Sequence, residues 1–132
     1  MAVITKFNDD ILMGEVSDLS RLGIDAGLLL FDARGVFDEG GEPNQPMLDN
    51  LVENICENIL QYGRRVFIFC DGGIDRSPFV VWCVLETLGD WDAQEDAGAI
   101  YHNIKFTRPQ IIEHFEWVSK RVQWMKEMGL YI

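Results

Sequence analysis

The 132-residue chain is poor in positive charge, in cysteine and in proline. Only 11 Lys and Arg stand against 22 Asp and Glu, a net charge of −11. That argues against nucleic acid or an anionic membrane as the main partner, because both are held through basic patches. Any anionic ligand must be gripped locally, against the overall field. The three cysteines, Cys56, Cys70 and Cys83, are odd in number and form no Cys-x-x-Cys pair. Neither a zinc site nor a disulfide framework is indicated, and a reducing, cytoplasmic setting fits. No basic-then-apolar leader is present, and the longest fully apolar run, residues 79–85, is far shorter than the ~20 residues a bilayer requires. Repeats, low-complexity tracts and linkers are missing too. What is there, 48% hydrophobic and 25% charged residues, is the composition of a folded globule. The length fits a single domain spanning residues 1–132.

The hydrophobic spacing predicts alternating strands and helices. Residues 2–7 and 10–13 read as short strands, the second stopped by Gly14, and residues 17–22 as one or two helical turns closed by Gly23. Residues 26–31 form an unbroken apolar run, the pattern of a buried strand in a covered sheet. Residues 34–45 are rich in Gly, Asp, Glu and Pro without periodicity, and a loop that long is often functional. Leu48, Leu51, Val52, Ile55 and Ile59 then mark an amphipathic helix from Pro46, with Gly63 beyond its end. Residues 66–69 read as a central strand and residues 77–88 as a helix apolar nearly all round, with Pro78 at its first position and Gly89 as its stop. Asp92 and Glu95 open a helix to about Ile104. A last helix spans residues 108–128 and ends at Gly129. This order implies an α/β domain with a mostly parallel sheet.

Cys70-Asp-Gly-Gly-Ile-Asp-Arg76-Ser77-Pro78 is the informative stretch. It sets a thiol at the end of a buried strand, and an arginine and a hydroxyl at the start of a buried helix. The backbone N–H groups of such a turn, Asp71, Gly72, Gly73, Ile74 and Asp75, converge with those of the helix start on one anion site. Gly72 and Gly73 leave the main chain free to approach a ligand. The Arg76 guanidinium is a planar fork that matches two phosphate oxygens. The same positive surroundings favour a reactive sulfur at Cys70, aimed at the bound anion. Attack of sulfur on phosphorus and hydrolysis of a phosphocysteine follow, with no metal or cofactor needed.

Cys70-x-x-Gly73-x-x-Arg76-Ser77 resembles the signature loop of the cysteine-dependent protein tyrosine phosphatase superfamily, and the surroundings resemble its dual-specificity branch. Residues 11–14 with Leu19, Leu22, Gly23 and Ile24 are similar to the family's opening strand and the entry to its next one. Glu95-Asp96-Ala97 and Arg108-Pro109 are similar to its late helices. The resemblance implies a three-layer domain with a central, mostly parallel sheet of four to five strands. It also implies a general acid in the loop before the signature. Asp38, 32 positions ahead of Cys70 in an Asp…Gly…Pro context, takes that role, with Asp32 as the competing choice. Ser77 carries over as the hydroxyl bonded to the sulfur. Two features depart from the pattern. Phe69 stands where the family has a loop-ordering histidine, and Asp71 and Asp75 put negative charge into an anion-binding turn.

The remaining candidates read as structural. Cys56 and Cys83 sit on apolar helical faces, His102 and His114 lie on predicted helices without a motif, and Trp82, Trp91, Trp117 and Trp124 suit packing because no basic stripe accompanies them. Arg64 and Arg65 read as the solvated end of a helix. The implied partner is a phosphorylated protein or small phosphomonoester, and the implied state a monomer. The competing function is a binding module that captures a phosphoresidue or anion and turns it over poorly. A sulfurtransferase or arsenate reductase uses related cysteine loops but differs in loop length or in the order of cysteine and acid.

Overall fold

A computed structural model of the chain describes residues 5–6, 10–19, 28–72, 75–88, 98, 101–102, 104–105 and 109–129. Its centre is β4 (Arg65–Cys70), in which every residue from Val66 to Cys70 is buried. Val66, Ile68 and Cys70 enter the main core, while Phe67 and Phe69 join a smaller cluster with Leu12. A strand covered on both faces needs apolar residues at odd and even positions alike, which is why its sequence does not alternate. β2 (Ile11–Glu15) and β3 (Leu28–Asp32) flank it in parallel, and β1 (Thr5–Lys6) pairs antiparallel with β2. Glu15 lies opposite Cys70 and Asp32 opposite Phe69, so the three parallel strands finish along one edge. Ligands of open α/β sheets bind at that carboxyl edge.

The strand order is β1-β2-β4-β3. Among the described residues the parallel part of the sheet is three strands, fewer than the mostly parallel four to five expected, and a two-residue antiparallel strand makes the fourth. β3 is likewise not the buried strand its apolar run suggests. It pairs with β4 alone among the described residues, and Leu30 remains 54% exposed. β2 runs through Gly14 instead of stopping at Met13. A Cβ on Gly14 would lie 2.6 Å from Asp18 Oδ2 and 2.9 Å from the Phe67 ring, so glycine serves there for close approach. The buried Asp18 carboxylate accepts the Glu15 N–H at 2.9 Å.

α1 (Gln45–Leu60) starts where its spacing predicts, capped by Asn44, whose Oδ1 accepts the Met47 N–H at 3.2 Å. It buries Leu48, Val52, Ile55, Cys56 and Ile59, and each large aliphatic so buried contributes about 1.5–3 kcal/mol. α2 (Arg76–Thr87) buries every residue from Ser77 to Leu85. Pro78 stands third in it, still within the first turn where a missing N–H costs nothing. α3 (Phe115–Glu127) begins seven residues later than the sequence predicts. Pro109 and Gln110 form a turn, and residues 111–114 are irregular, with Ile111 buried. The buried Arg121 of α3 reaches Asp49 of α1 at 2.9 Å.

All three helices pack into the core on the Val66, Ile68 and Cys70 face of the sheet. The expected loop at residues 34–45 contains a 3-10 helix, Ala33–Val36, whose Ala33 and Val36 are buried. Most of the expected helix from Asp92 lies outside the described residues, although residues 98, 101, 102, 104 and 105 are helical. Gly23, Ile24, Gly89, Trp91, Glu95, Asp96, Ala97 and Arg108 also lie outside them. Among the described residues no helix is long and apolar enough to cross a membrane.

Candidate active site

Cys70 ends β4 at the carboxyl edge of the sheet, and Arg76 and Ser77 open α2. The strand and helix are thereby joined at one point, and Cys70 Sγ lies 3.2 Å from Ser77 Oγ. Both side chains are buried, yet Cys70 borders a hollow of about 270 Å³ lined also by Asp71, Gly72, Asp75 and Arg76. Gly73 and Ile74, expected to complete the turn, lie outside the described residues. Asp75 occupies the N-cap position of α2 but makes no capping hydrogen bond. The first N–H groups of α2 thus have no side-chain cap competing with a ligand. A larger hollow, about 600 Å³, opens beside β3 between Leu29, Leu30, Tyr62 and Arg64, but it brings no nucleophile and no convergent cations.

The other two cysteines are chemically quiet, as their positions in apolar faces suggest. Burial pushes the Cys83 thiol up to about 12 and Cys56 to about 11, so neither supplies a thiolate near neutral pH. Among the described residues no cluster of His, Cys, Asp and Glu could hold a metal ion.

The two aspartates considered as proton donors sit differently. Asp32 ends β3, and its carboxylate is forked by Arg34, with Nε 2.9 Å from Oδ1 and Nη2 2.8 Å from Oδ2. The Arg34 hydrogen bonds hold the Asp32 carboxyl below the usual carboxylate range, with a smaller contribution from Arg76. Such a group keeps its charge and is a poor store for a proton. Asp38 is exposed in a turn, where its N–H donates to the Glu42 carbonyl at 2.8 Å and its carbonyl accepts the Gly41 N–H at 2.8 Å. Gly41 has φ +86°, a conformation glycine adopts without strain. Phe37, just before Asp38, lies under the Arg76 guanidinium at 5.5 Å. Neither Asp38 nor Asp32 lines the hollow beside Cys70.

No family model and no curated protein matches the chain in sequence. Solved structures do match it. A leucine rich repeat and phosphatase domain containing protein from Entamoeba histolytica aligns over 96% of this chain and 92% of its own, with TM-score 0.73 and 14% identity. PTPMT1 aligns over 97% and 99%, with TM-score 0.71 and 16% identity. A mouse putative dual specificity phosphatase, solved with zinc tungstate, aligns over 96% and 90%, with TM-score 0.71 and 17% identity. The fold is that of the protein tyrosine and dual-specificity phosphatases.

Within this phosphatase fold the departures at Phe69, Asp71 and Asp75 acquire partners that the sequence did not reveal. Arg34 Nη1 lies 2.8 Å from Asp71 Oδ1, and the same guanidinium sits over the Phe69 ring at 5.9 Å. His114 Nε2 contacts the Asp75 carboxylate, and its ring stacks on Trp117 with centroids 3.6 Å apart. Arg34 and His114 therefore reach the loop from segments remote in sequence, and no spacing rule points to them. Asn44 Nδ2 reaches Asp38 Oδ1 at 3.4 Å while its Oδ1 caps α1. An asparagine just ahead of a predicted helix is a signal that could have found it. His102 is exposed on its helix, and Trp82 and Trp117 pack in the core beside Phe79.

Proposed function

We propose that the chain is a small cysteine-dependent phosphatase that hydrolyses phosphotyrosine, and also phosphoserine or phosphothreonine, through a phosphocysteine intermediate, with residues 1–132 acting as one catalytic domain. The observation that supports this reading is the 3.2 Å approach of Ser77 Oγ to Cys70 Sγ at the mouth of a hollow bordered by Arg76. The phosphate dianion sits on the loop and helix-start N–H groups, with the Arg76 fork on two of its oxygens. Cys70 sulfur attacks phosphorus in line, and the ester P–O bond breaks. The leaving oxygen takes a proton from Asp38, a contribution of typically ~10²–10⁴-fold. Water then attacks the phosphocysteine and gives its proton to the Asp38 carboxylate, while the Ser77 hydroxyl donates to the departing sulfur. Asp32 serves charge balance here, because Arg34 keeps it ionised.

A hollow this open suits a phosphorylated side chain of more than one kind, or a small phosphomonoester; the related PTPMT1 has been solved in complex with PI(5)P. We place the protein in the cytoplasm as a monomer acting without cofactor, nucleic acid or membrane. The test is hydrolysis of p-nitrophenyl phosphate by wild type and Cys70→Ser. Turnover should fall by at least ~10³-fold, since removing a nucleophile commonly costs that or more. Activity that survives the substitution overturns the nucleophile assignment.

A second reading, a module that binds phosphoresidues with little turnover, draws on Phe69, Asp71 and Asp75, which add carboxylates and remove an imidazole beside the sulfur. Tight orthovanadate binding by wild type without measurable hydrolysis would favour it.

A further inference from the structure

The turn between Cys70 and Arg76 carries a carboxylate at each end, and each is held from outside the turn. Asp71 directly follows Cys70, and Arg34 Nη1 lies 2.8 Å from its Oδ1. Arg34 is itself fixed: its fork grips Asp32 at 2.9 and 2.8 Å, and its backbone N–H donates to Asp32 Oδ1 at 2.9 Å. At the other end, Asp75 directly precedes Arg76 and turns its carboxylate to His114 Nε2 instead of capping α2. His114 is fixed in turn by its stack on Trp117, a buried residue whose ring lies 4.9 Å from Phe37 and 5.4 Å from Phe79.

Two uncompensated carboxylates beside a bound dianion would oppose binding. Two that each meet a fixed side chain from another segment become attachment points. We propose that Arg34 and His114 are positioning residues that clamp the phosphate loop by Asp71 and Asp75, fixing the loop ends that bear the nucleophile and the Arg76 guanidinium. The clamps take the place of the histidine absent before Cys70, where Phe69 stands under Arg34 instead. This inference rests on the anion-binding reading of the loop given above. It predicts a pairwise signature: each clamp matters only while its aspartate carries charge.

The experiment is a pair of double-mutant cycles, Arg34→Gln with Asp71→Asn and His114→Ala with Asp75→Asn. They are read by amide hydrogen exchange at residues 71–76 and by KM for p-nitrophenyl phosphate. In the parent background Arg34→Gln and His114→Ala should each raise KM about three- to fivefold, as the loss of a solvent-exposed pair does, with kcat changing less, and should speed exchange in the loop. In the background lacking the partner carboxylate the same changes should fall below about twofold, because the interaction they remove is already gone. Arg34→Lys should restore part of the KM loss by returning the charge. Equal effects in both backgrounds, or no change in loop exchange from either substitution, would overturn the clamp even if wild type is an active phosphatase. A wild type without turnover, whose loop exchange still shows the pairwise signature, would overturn the phosphatase reading and leave the clamp standing.

Discussion

The loops that leave β3 and β4 begin at the same edge of the sheet and carry different chemical groups, which the proposed function gives different tasks. The β4 loop is short, leads into α2, and is flanked by a sulfur at the end of the strand and by a guanidinium and a hydroxyl at the start of the helix, all within eight residues. The β3 loop is longer, contains a 3-10 helix and a tight turn, and offers two carboxylates in opposite circumstances: Asp32 gripped by Arg34, Asp38 open to solvent on a turn. Binding and attack call for a preorganised cradle, whereas proton delivery calls for a group that can carry and release a proton. The two loops differ accordingly.

The sharpest way to break this division is to exchange the burden between the aspartates. Asp38→Asn should lower kcat for p-nitrophenyl phosphate by about 10²-fold, as loss of a general acid typically does, while Asp32→Asn should cost less than about tenfold. The reverse order would hand proton transfer to Asp32. A smaller effect belongs to the β4 loop. Ser77→Ala removes one hydrogen bond to the sulfur, worth about 1–1.5 kcal/mol, and should slow intermediate breakdown roughly tenfold, seen as a larger burst of product before steady state. If the burst is unchanged, Ser77 packs the loop without assisting departure. The smallest effect is on stability. Arg34 holds the Asp32 carboxyl below its ordinary value of 3.8, so the pair stabilises the fold above that value and loses its contribution as pH falls through the lower folded value. Asp32→Asn should therefore lower the melting temperature slightly and equally at pH 7 and pH 5. The difference should fade only in stronger acid, and the exposed setting of the pair keeps it small. A gap that vanishes between pH 7 and pH 5 would contradict the assignment.

The same contrast explains what could be read from the sequence. The β4 strand, the α2 helix and the Cys70, Arg76 and Ser77 spacing were legible because strand, turn and helix are contiguous, so sequence distance is nearly spatial distance. Arg34 with Asp71 and His114 with Asp75 were not, since those pairs are made by the return of the chain. β3 misled because its apolar run looks the same in a central strand and at an edge, and only the strand order distinguishes them. The last helix starts later than the hydrophobic spacing predicts, although Ile111 fits a helical period. The chain there is irregular instead, with Ile111 reaching the core and His114 reaching Asp75.

Asn44 spends its one amide group in two directions, oxygen toward the Met47 N–H and nitrogen toward the Asp38 carboxylate. The orientation of Asp38, the proposed proton donor, is thus borrowed from a 16-residue rod seated against the sheet. The turn at residues 38–42 and the start of the rod are thereby tied to one another through a single side chain.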